Sequence, residues 1–113
     1  MEEIKVGDYI RTIEPYGEIY KVIGREQEDI LLIDSLGNNR VETGYVSKHS
    51  PNIIDLIEVG DYVNGYEVLI IRNGIPYIEY SNEFDDYTGY ITNDTIKSIV
   101  THEQFNSIKY EVI

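Results

Sequence analysis

The sequence predicts an all-β protein made of two tandem SH3-like small barrels, each with about five short strands and a single helical turn. Three observations support this fold class. A heptapeptide occurs twice along the chain, short apolar segments are separated by turn-forming residues, and no segment has a 3.6-residue apolar period long enough for a full helix.

The repeat connects residues 4–10 (IKVGDYI) with residues 57–63 (IEVGDYV), and five of the seven positions are identical. In each copy the Gly-Asp pair is a turn signal, because glycine accepts positive φ and aspartate can bond to nearby backbone. We therefore expect two domains, 1–56 and 57–113, which pack together because each half would be marginal alone. A second, shorter repeat relates residues 43–47 (TGYVS) to 88–92 (TGYIT).

Strands are expected directly after each Gly-Asp turn and in further segments bounded by turn residues. These further segments are 18–23, 29–34, 40–46, 66–72, 75–80, 96–100 and 107–112. Hairpin turns are predicted at 35–39 and at Asn73-Gly74, the latter a strong two-residue hairpin signal. Pro76 suits an edge strand or the start of a strand.

One helical turn is predicted near the end of each half. Ser50-Pro51 has the pattern of an N-cap followed by proline at the first helical position. Thr101 and Gln104 have the spacing of a capping box, in which each side chain bonds to the backbone N–H of the other residue.

Charge limits the classes of partner. The 113 residues carry 9 Lys and Arg against 21 Asp and Glu, a net charge of −12. Such a surface repels phosphate backbones and anionic membranes, so we expect neither direct nucleic-acid binding nor membrane binding. With no cysteine and no long apolar run, we expect a cytoplasmic location, and the sequence leaves the oligomeric state open.

No enzyme active site is expected, and no metal or cofactor. The only histidines, His49 and His102, occupy equivalent places in the two halves, which favours a structural role over catalysis. Their separation also lacks the paired spacing of a zinc site.

A candidate binding surface lies in the second half. Residues 73–96 contain no Lys or Arg and five carboxylates, interleaved with tyrosines. Tyrosine offers contact area with few torsions to immobilise, and carboxylates pair with arginine and lysine. The candidate binding residues are Tyr77, Glu79, Tyr80, Glu83, Asp85, Asp86, Tyr87 and Tyr90.

Four segments, 5–10, 48–57, 58–66 and 98–105, resemble small acidic proteins from phages and prophages of low-GC Gram-positive bacteria, clostridia especially. That family carries no catalytic residues to transfer. The resemblance implies a phage accessory protein, and small accessory proteins of this kind often block host defences.

Three functions remain open. The first is a non-catalytic, anti-CRISPR-like or other anti-defence inhibitor, which binds a host defence protein with a basic surface. The second is a sponge for a nucleotide immune signal, which would need cations at its pocket; those available are Arg40, Lys48, Arg72 and Lys97. The third is an SH3-like adaptor that holds a peptide.

Overall fold

The computed structural model describes the backbone of residues 3–35, 37, 39–81 and 86–108, and the side chains of these residues except 79–81, 86–88 and 108. The chain divides into two compact units, Met1–Leu56 and Ile57–Ile113. The part of the chain described contains no helix with the length and apolar character needed to cross a membrane.

The first unit contains a five-stranded antiparallel sheet with the strand order β4-β3-β2-β1-β5. A 3₁₀ turn at Thr43–Tyr45 precedes the last strand, and another at Ile53–Leu56 follows it. The strands are β1 (Tyr9–Thr12), β2 (Ile19–Gln27), β3 (Ile30–Ile33), β4 (Arg40–Glu42) and β5 (Val46–Ser50).

The second unit repeats this topology in the order β10-β6-β7-β8-β9. A 3₁₀ turn at Asn93–Thr95 again precedes the last strand. The elements are β6 (Tyr62–Val63), β7 (Tyr66–Arg72), β8 (Ile75–Ser81), β9 (Asp86–Tyr90), β10 (Ile99–Val100) and the helix α1 (His102–Ile108).

The predicted all-β class is therefore confirmed in its coarser form, as two five-stranded antiparallel sheets and one short helix. In both units the first strand lies between the second and the fifth strands. The strand pairs of the described residues do not close either sheet into a barrel.

The repeated heptapeptide folds into the same turn twice. Gly7 and Gly60 have φ values of 99° and 94°, a region that glycine enters without a steric cost. The aspartate after each glycine accepts a hydrogen bond from the backbone N–H three residues earlier. These bonds join Lys5 N to Asp8 Oδ2 (3.0 Å) and Glu58 N to Asp61 Oδ2 (2.8 Å). The sequence repeat is therefore a repeat of backbone geometry.

The core of the first unit is an aliphatic cluster that the alternating strand pattern turns inward. Its buried members are Ile4, Ile10, Val22, Leu31 and Ile33. Arg11, which has no exposed surface, donates from Nη1 to the carbonyl oxygen of Leu56 at 3.0 Å. Among the described side chains of the second unit, Ile57, Val63, Val68 and Ile91 are buried aliphatic residues.

Local turn chemistry is confirmed at both predicted sites in the second unit. Asn73 (φ 52°) and Gly74 (φ 76°) join β7 to β8, as a two-residue hairpin requires. The capping box also forms, since Thr101 N donates to Gln104 Oε1 (3.0 Å) and Gln104 N to Thr101 Oγ1 (3.2 Å). Pro76 is the second residue of β8, at the start of an interior strand.

Several element predictions are wrong. Residues 40–46 do not form one strand, because the 3₁₀ turn at Thr43–Tyr45 separates β4 from β5. Pro51 is not the first residue of a helical turn, because the 3₁₀ turn of this region begins at Ile53.

The helix that Thr101 caps continues for seven residues, so Ser107 and Ile108 belong to α1 and not to a final strand. The rest of that predicted strand, 109–112, lies outside the described residues. The sequence similarity between 43–47 and 88–92 does not extend to their structures, because Thr43–Tyr45 is a 3₁₀ turn and residues 88–90 belong to β9.

Candidate functional site

The predicted binding residues belong to the β8–β9 ladder and its connection. Tyr77, Glu79 and Tyr80 lie in β8, and Asp86, Tyr87 and Tyr90 lie in β9, which is an edge strand of the sheet. Glu83 and Asp85 lie outside the described residues.

The register of this ladder assigns the predicted residues to two faces. Tyr77 pairs with Tyr90, whereas Tyr80 pairs with Tyr87. Because successive residues of a strand alternate between faces, the positions of Tyr77, Glu79, Asp86 and Tyr90 share one face. The positions of Tyr80 and Tyr87 lie on the other face, which also carries the buried residue Pro76. The register therefore divides the predicted binding residues of these two strands between the two faces of the sheet.

The first of these faces presents a row of large side chains across three strands. Ile70 of β7 pairs with Tyr77 of β8, which pairs with Tyr90 of β9. The Tyr77 and Tyr90 rings meet edge to face, with centroids 6.3 Å apart, and Tyr90 is 65% exposed. Ile70, Ile75 and Leu69 are also exposed. We name this surface, defined by Ile70, Ile75, Tyr77 and Tyr90, the outer face.

Sequence reasoning missed Ile70 and Ile75 as members of this surface. In a regular strand over 66–72, every second side chain would face solvent. The register instead shifts between Val68 and Ile70. This irregularity leaves both Leu69 and Ile70 exposed, at 40% and 38%. An extra residue in one strand is not visible in the apolar pattern alone.

The two histidines hold structural positions, each beside an aspartate of the repeated turn. His49 Nδ1 lies 3.3 Å from Asp8 Oδ2, and the backbone N–H of His102 donates to Asp61 Oδ1 at 2.9 Å. The His102 ring also lies 3.1 Å from carboxylate oxygens of Glu58 and of Glu103. The hydroxyl of Ser47, two residues before His49, donates to the Arg11 carbonyl oxygen at 3.0 Å. This arrangement supports the predicted structural role.

A cleft of about 500 Å³ opens in the first unit. Three tyrosines, two glutamates, an arginine, a threonine and three aliphatic residues line it. Its residues are Thr12, Tyr16, Glu18, Tyr20, Ile30, Ile33, Arg40, Val41, Glu42 and Tyr45. Sequence reasoning missed this tyrosine cleft, because the 3₁₀ turn that supplies Tyr45 is far along the chain from the loop and strand that supply Tyr16 and Tyr20.

Inside the tyrosine cleft, the Tyr20 hydroxyl donates a short hydrogen bond to Glu18 Oε2. Burial first, and then the hydrogen bond and negative charge of Glu18, together raise the pKa of Tyr20 to about 12, although a hydrogen bond with Ser35 acts in the opposite direction. The phenol is therefore neutral in the folded protein at neutral pH and ionises at a higher pH than a tyrosine in the unfolded chain.

The raised pKa predicts a loss of stability at high pH. In the unfolded chain Tyr20 ionises near pH 10, but in the folded chain it ionises near pH 12, so the free energy of unfolding falls between these values. In denaturant unfolding measured from pH 9 to 12, the free energy of unfolding should fall less for Tyr20→Phe than for the unsubstituted chain. Equal declines in the two proteins would contradict the role of this phenol.

A second cavity of the first unit, about 630 Å³, is less suited to an anionic ligand. Its one guanidinium, Arg25, donates to backbone carbonyl oxygens of Ile4 and Glu28. Glu3, Glu28 and Asp29 also line this cavity. Its arginine is therefore already engaged by the fold.

The cations that a nucleotide sponge would need do not meet in either of the two cavities described above. Of the four, Arg40 lines the tyrosine cleft, together with Glu18 and Glu42. Lys48, Arg72 and Lys97 are exposed and line neither described cavity. Carboxylates next to Arg40 disfavour a phosphate ligand there.

Comparison with known protein families, curated proteins and solved structures finds no match to this chain.

Proposed function

We propose that this chain is a non-catalytic phage accessory protein that inhibits a bacterial antiviral defence system by binding a defence protein. The outer face of the second unit is the contact surface. The partner presents a basic surface, and the encounter takes place in the cytoplasm of the host cell. The resemblance to small acidic phage proteins supplies the biological context of the proposal.

The observation that carries the proposal is the cross-strand row of Ile70, Tyr77 and Tyr90, in which Ile70 and Tyr90 are exposed and Tyr77 is half-buried. Contiguous exposed apolar and aromatic side chains on a β-sheet are a common feature of protein interfaces. Tyrosine is enriched among the residues that contribute most to binding energy. Here two tyrosines already contact one another, so their rings lose little freedom on binding.

Charge supports a basic partner. The second unit, 57–113, contains ten acidic and three basic residues, a net charge of −7. The register positions of Glu79 and Asp86 lie on the same face as Tyr77 and Tyr90. Electrostatic complementarity of this kind accelerates encounter and selects against anionic surfaces such as DNA.

We further propose that each unit is an SH3-like barrel module, as the sequence predicts. The support is topological: each first strand pairs with the second and fifth strands, and a 3₁₀ turn precedes each fifth strand. In this arrangement the sheets serve as scaffolds, and function depends on their surfaces and not on their fold alone.

Truncating the outer face should abolish inhibition. Host bacteria carrying one defence system at a time, and expressing the chain, are challenged with phage and scored by plaque number. We expect rescue of the phage in at least one such strain, and loss of rescue with the double variant Tyr77→Ala, Tyr90→Ala. Binding to the captured defence protein should weaken at least about 30-fold, because interface tyrosines often contribute 2 kcal/mol or more each.

The matched control is Tyr66→Ala, a tyrosine that is 46% exposed and lies outside the outer face. It should retain rescue and affinity. Affinity of the unsubstituted chain should also fall steeply as salt rises, since surface charges are screened. Rescue by the double variant, salt-insensitive binding, or full activity after lysine replaces Glu83, Asp85 and Asp86 would contradict the proposal.

A further inference from the structure

The tyrosine cleft of the first unit is assembled by backbone hydrogen bonds between distant segments. Ile13 N donates to the carbonyl oxygen of Tyr45 at 2.9 Å, which ties the loop after β1 to the 3₁₀ turn before β5. In the same loop, Tyr16 N donates to the Ile13 carbonyl oxygen at 3.1 Å. These bonds hold the loop next to the turn, and Tyr16 of the loop and Tyr45 of the turn both line the tyrosine cleft.

Two of the tyrosine rings are exposed to solvent, although the backbone of both residues is held by these hydrogen bonds. Tyr16 is 58% exposed and Tyr45 is 51% exposed. Aromatic side chains so exposed in a rigid concave site gain contact when a ligand covers them. A volume of about 500 Å³ is enough for one long side chain and the backbone beside it.

The charged residues that line the tyrosine cleft favour a positively charged ligand. Glu18 and Glu42 both line it, and the position of Glu18 is fixed by its backbone N–H, which donates to Thr12 Oγ1 at 2.8 Å. The remaining charged residue of the lining, Arg40, forms a two-pronged ion pair with Glu26, with N–O distances of 2.8 and 3.0 Å. The arginine charge is thus balanced by Glu26, and the two lining glutamates leave the cleft negative.

We propose that the tyrosine cleft binds the cationic side chain, lysine or arginine, of an extended segment of a partner protein. The faces of tyrosine rings attract cations, and nearby carboxylates add to this attraction. This site is separate from the outer face and does not depend on the function proposed above. It gives the chain a second contact, made by the first unit.

The chemistry of the site is tested with a minimal probe on the full chain. N-acetyl-arginine amide is titrated into the protein and followed by NMR of the tyrosine ring signals. We expect saturable shifts of the Tyr16 and Tyr45 signals, and binding at least about tenfold weaker for N-acetyl-citrulline amide, which has the same shape without the charge. Equal binding of the two probes would overturn the proposal, as would binding of N-acetyl-glutamate amide.

Variants assign the binding to particular side chains. Tyr45→Ala should weaken arginine binding by at least about threefold through the lost ring. Glu42→Gln preserves shape and should weaken binding by about twofold or more through the lost charge. Tyr66→Ala, in the other unit, should leave the affinity unchanged. Retained affinity in both Tyr45→Ala and Glu42→Gln, with native tyrosine spectra, would place the cation elsewhere and contradict the assignment.

Discussion

Replacing Asp61 by alanine should lower the free energy of unfolding by about 3 kcal/mol. Asp61 has no exposed surface, and its two carboxylate oxygens accept from Glu58 N at 2.8 Å and from His102 N at 2.9 Å. Alanine would leave both donors without this acceptor in a place that is partly shielded from water. The substitution would also remove a negative charge next to the first turn of α1.

Graded variants separate this effect from a general loss of stability. Asp61→Asn retains a single acceptor oxygen, so its loss should be intermediate. Asp8→Ala, at the equivalent place in the first unit, should cost less, because one of its partners is the His49 ring at 3.3 Å. Exposed Asp94 is the control, and Asp94→Ala should change stability by less than about 0.5 kcal/mol. Equal denaturation midpoints for Asp61→Ala and Asp94→Ala would refute the role given to this carboxylate.

Leu31→Ala should destabilise the protein by about 2 to 5 kcal/mol. Leu31 lies in β3, an interior strand of the first sheet, and is fully buried in the aliphatic cluster. Its neighbours Ile10 and Val22 are held by the same sheet, so the space that leucine leaves can collapse only in part. Urea unfolding followed by circular dichroism measures the loss.

The same substitution at an exposed leucine is the control. Leu69 is 40% exposed on β7, and Leu69→Ala should cost less than about 0.5 kcal/mol. A similar cost at both leucines would mean that the cluster around Leu31 is not the core of its unit.

Local signals predicted much of the fold, because they act over a few residues. The heptapeptide repeat indicated the Gly7 and Gly60 turns, Asn73-Gly74 indicated a hairpin, and Thr101 indicated the start of a helix. A second Asn-Gly pair at 64–65, with positive φ at both residues, joins β6 to β7, and the same rule could have found it.

Errors arose where the outcome depends on the rest of the sheet. The TGY triplets at 43–45 and 88–90 are identical in sequence, yet one forms a 3₁₀ turn and the other lies in a strand paired with β8. Strand pairing decides between these states, and three residues do not encode it. The end of α1 was misjudged for a related reason, since alternation over 107–112 resembles a strand.

The candidate site was predicted in composition but not in geometry. The acidic, tyrosine-rich segment is visible in the sequence, but its division between two faces follows from the register that pairs Tyr77 with Tyr90. The tyrosine cleft could not be predicted in this way, because it needs the long-range bond between Ile13 and Tyr45. Both surfaces depend on contacts between residues that are distant in sequence.

Docking of the outer face on a defence protein should be visible in a methyl NMR spectrum of the isoleucine-labelled chain, recorded free and with the defence protein captured in the phage-rescue strain. We expect the Ile70 and Ile75 methyl signals to shift most. Shifts at Ile4 and Ile30 of the first unit, with Ile70 and Ile75 unchanged, would contradict it.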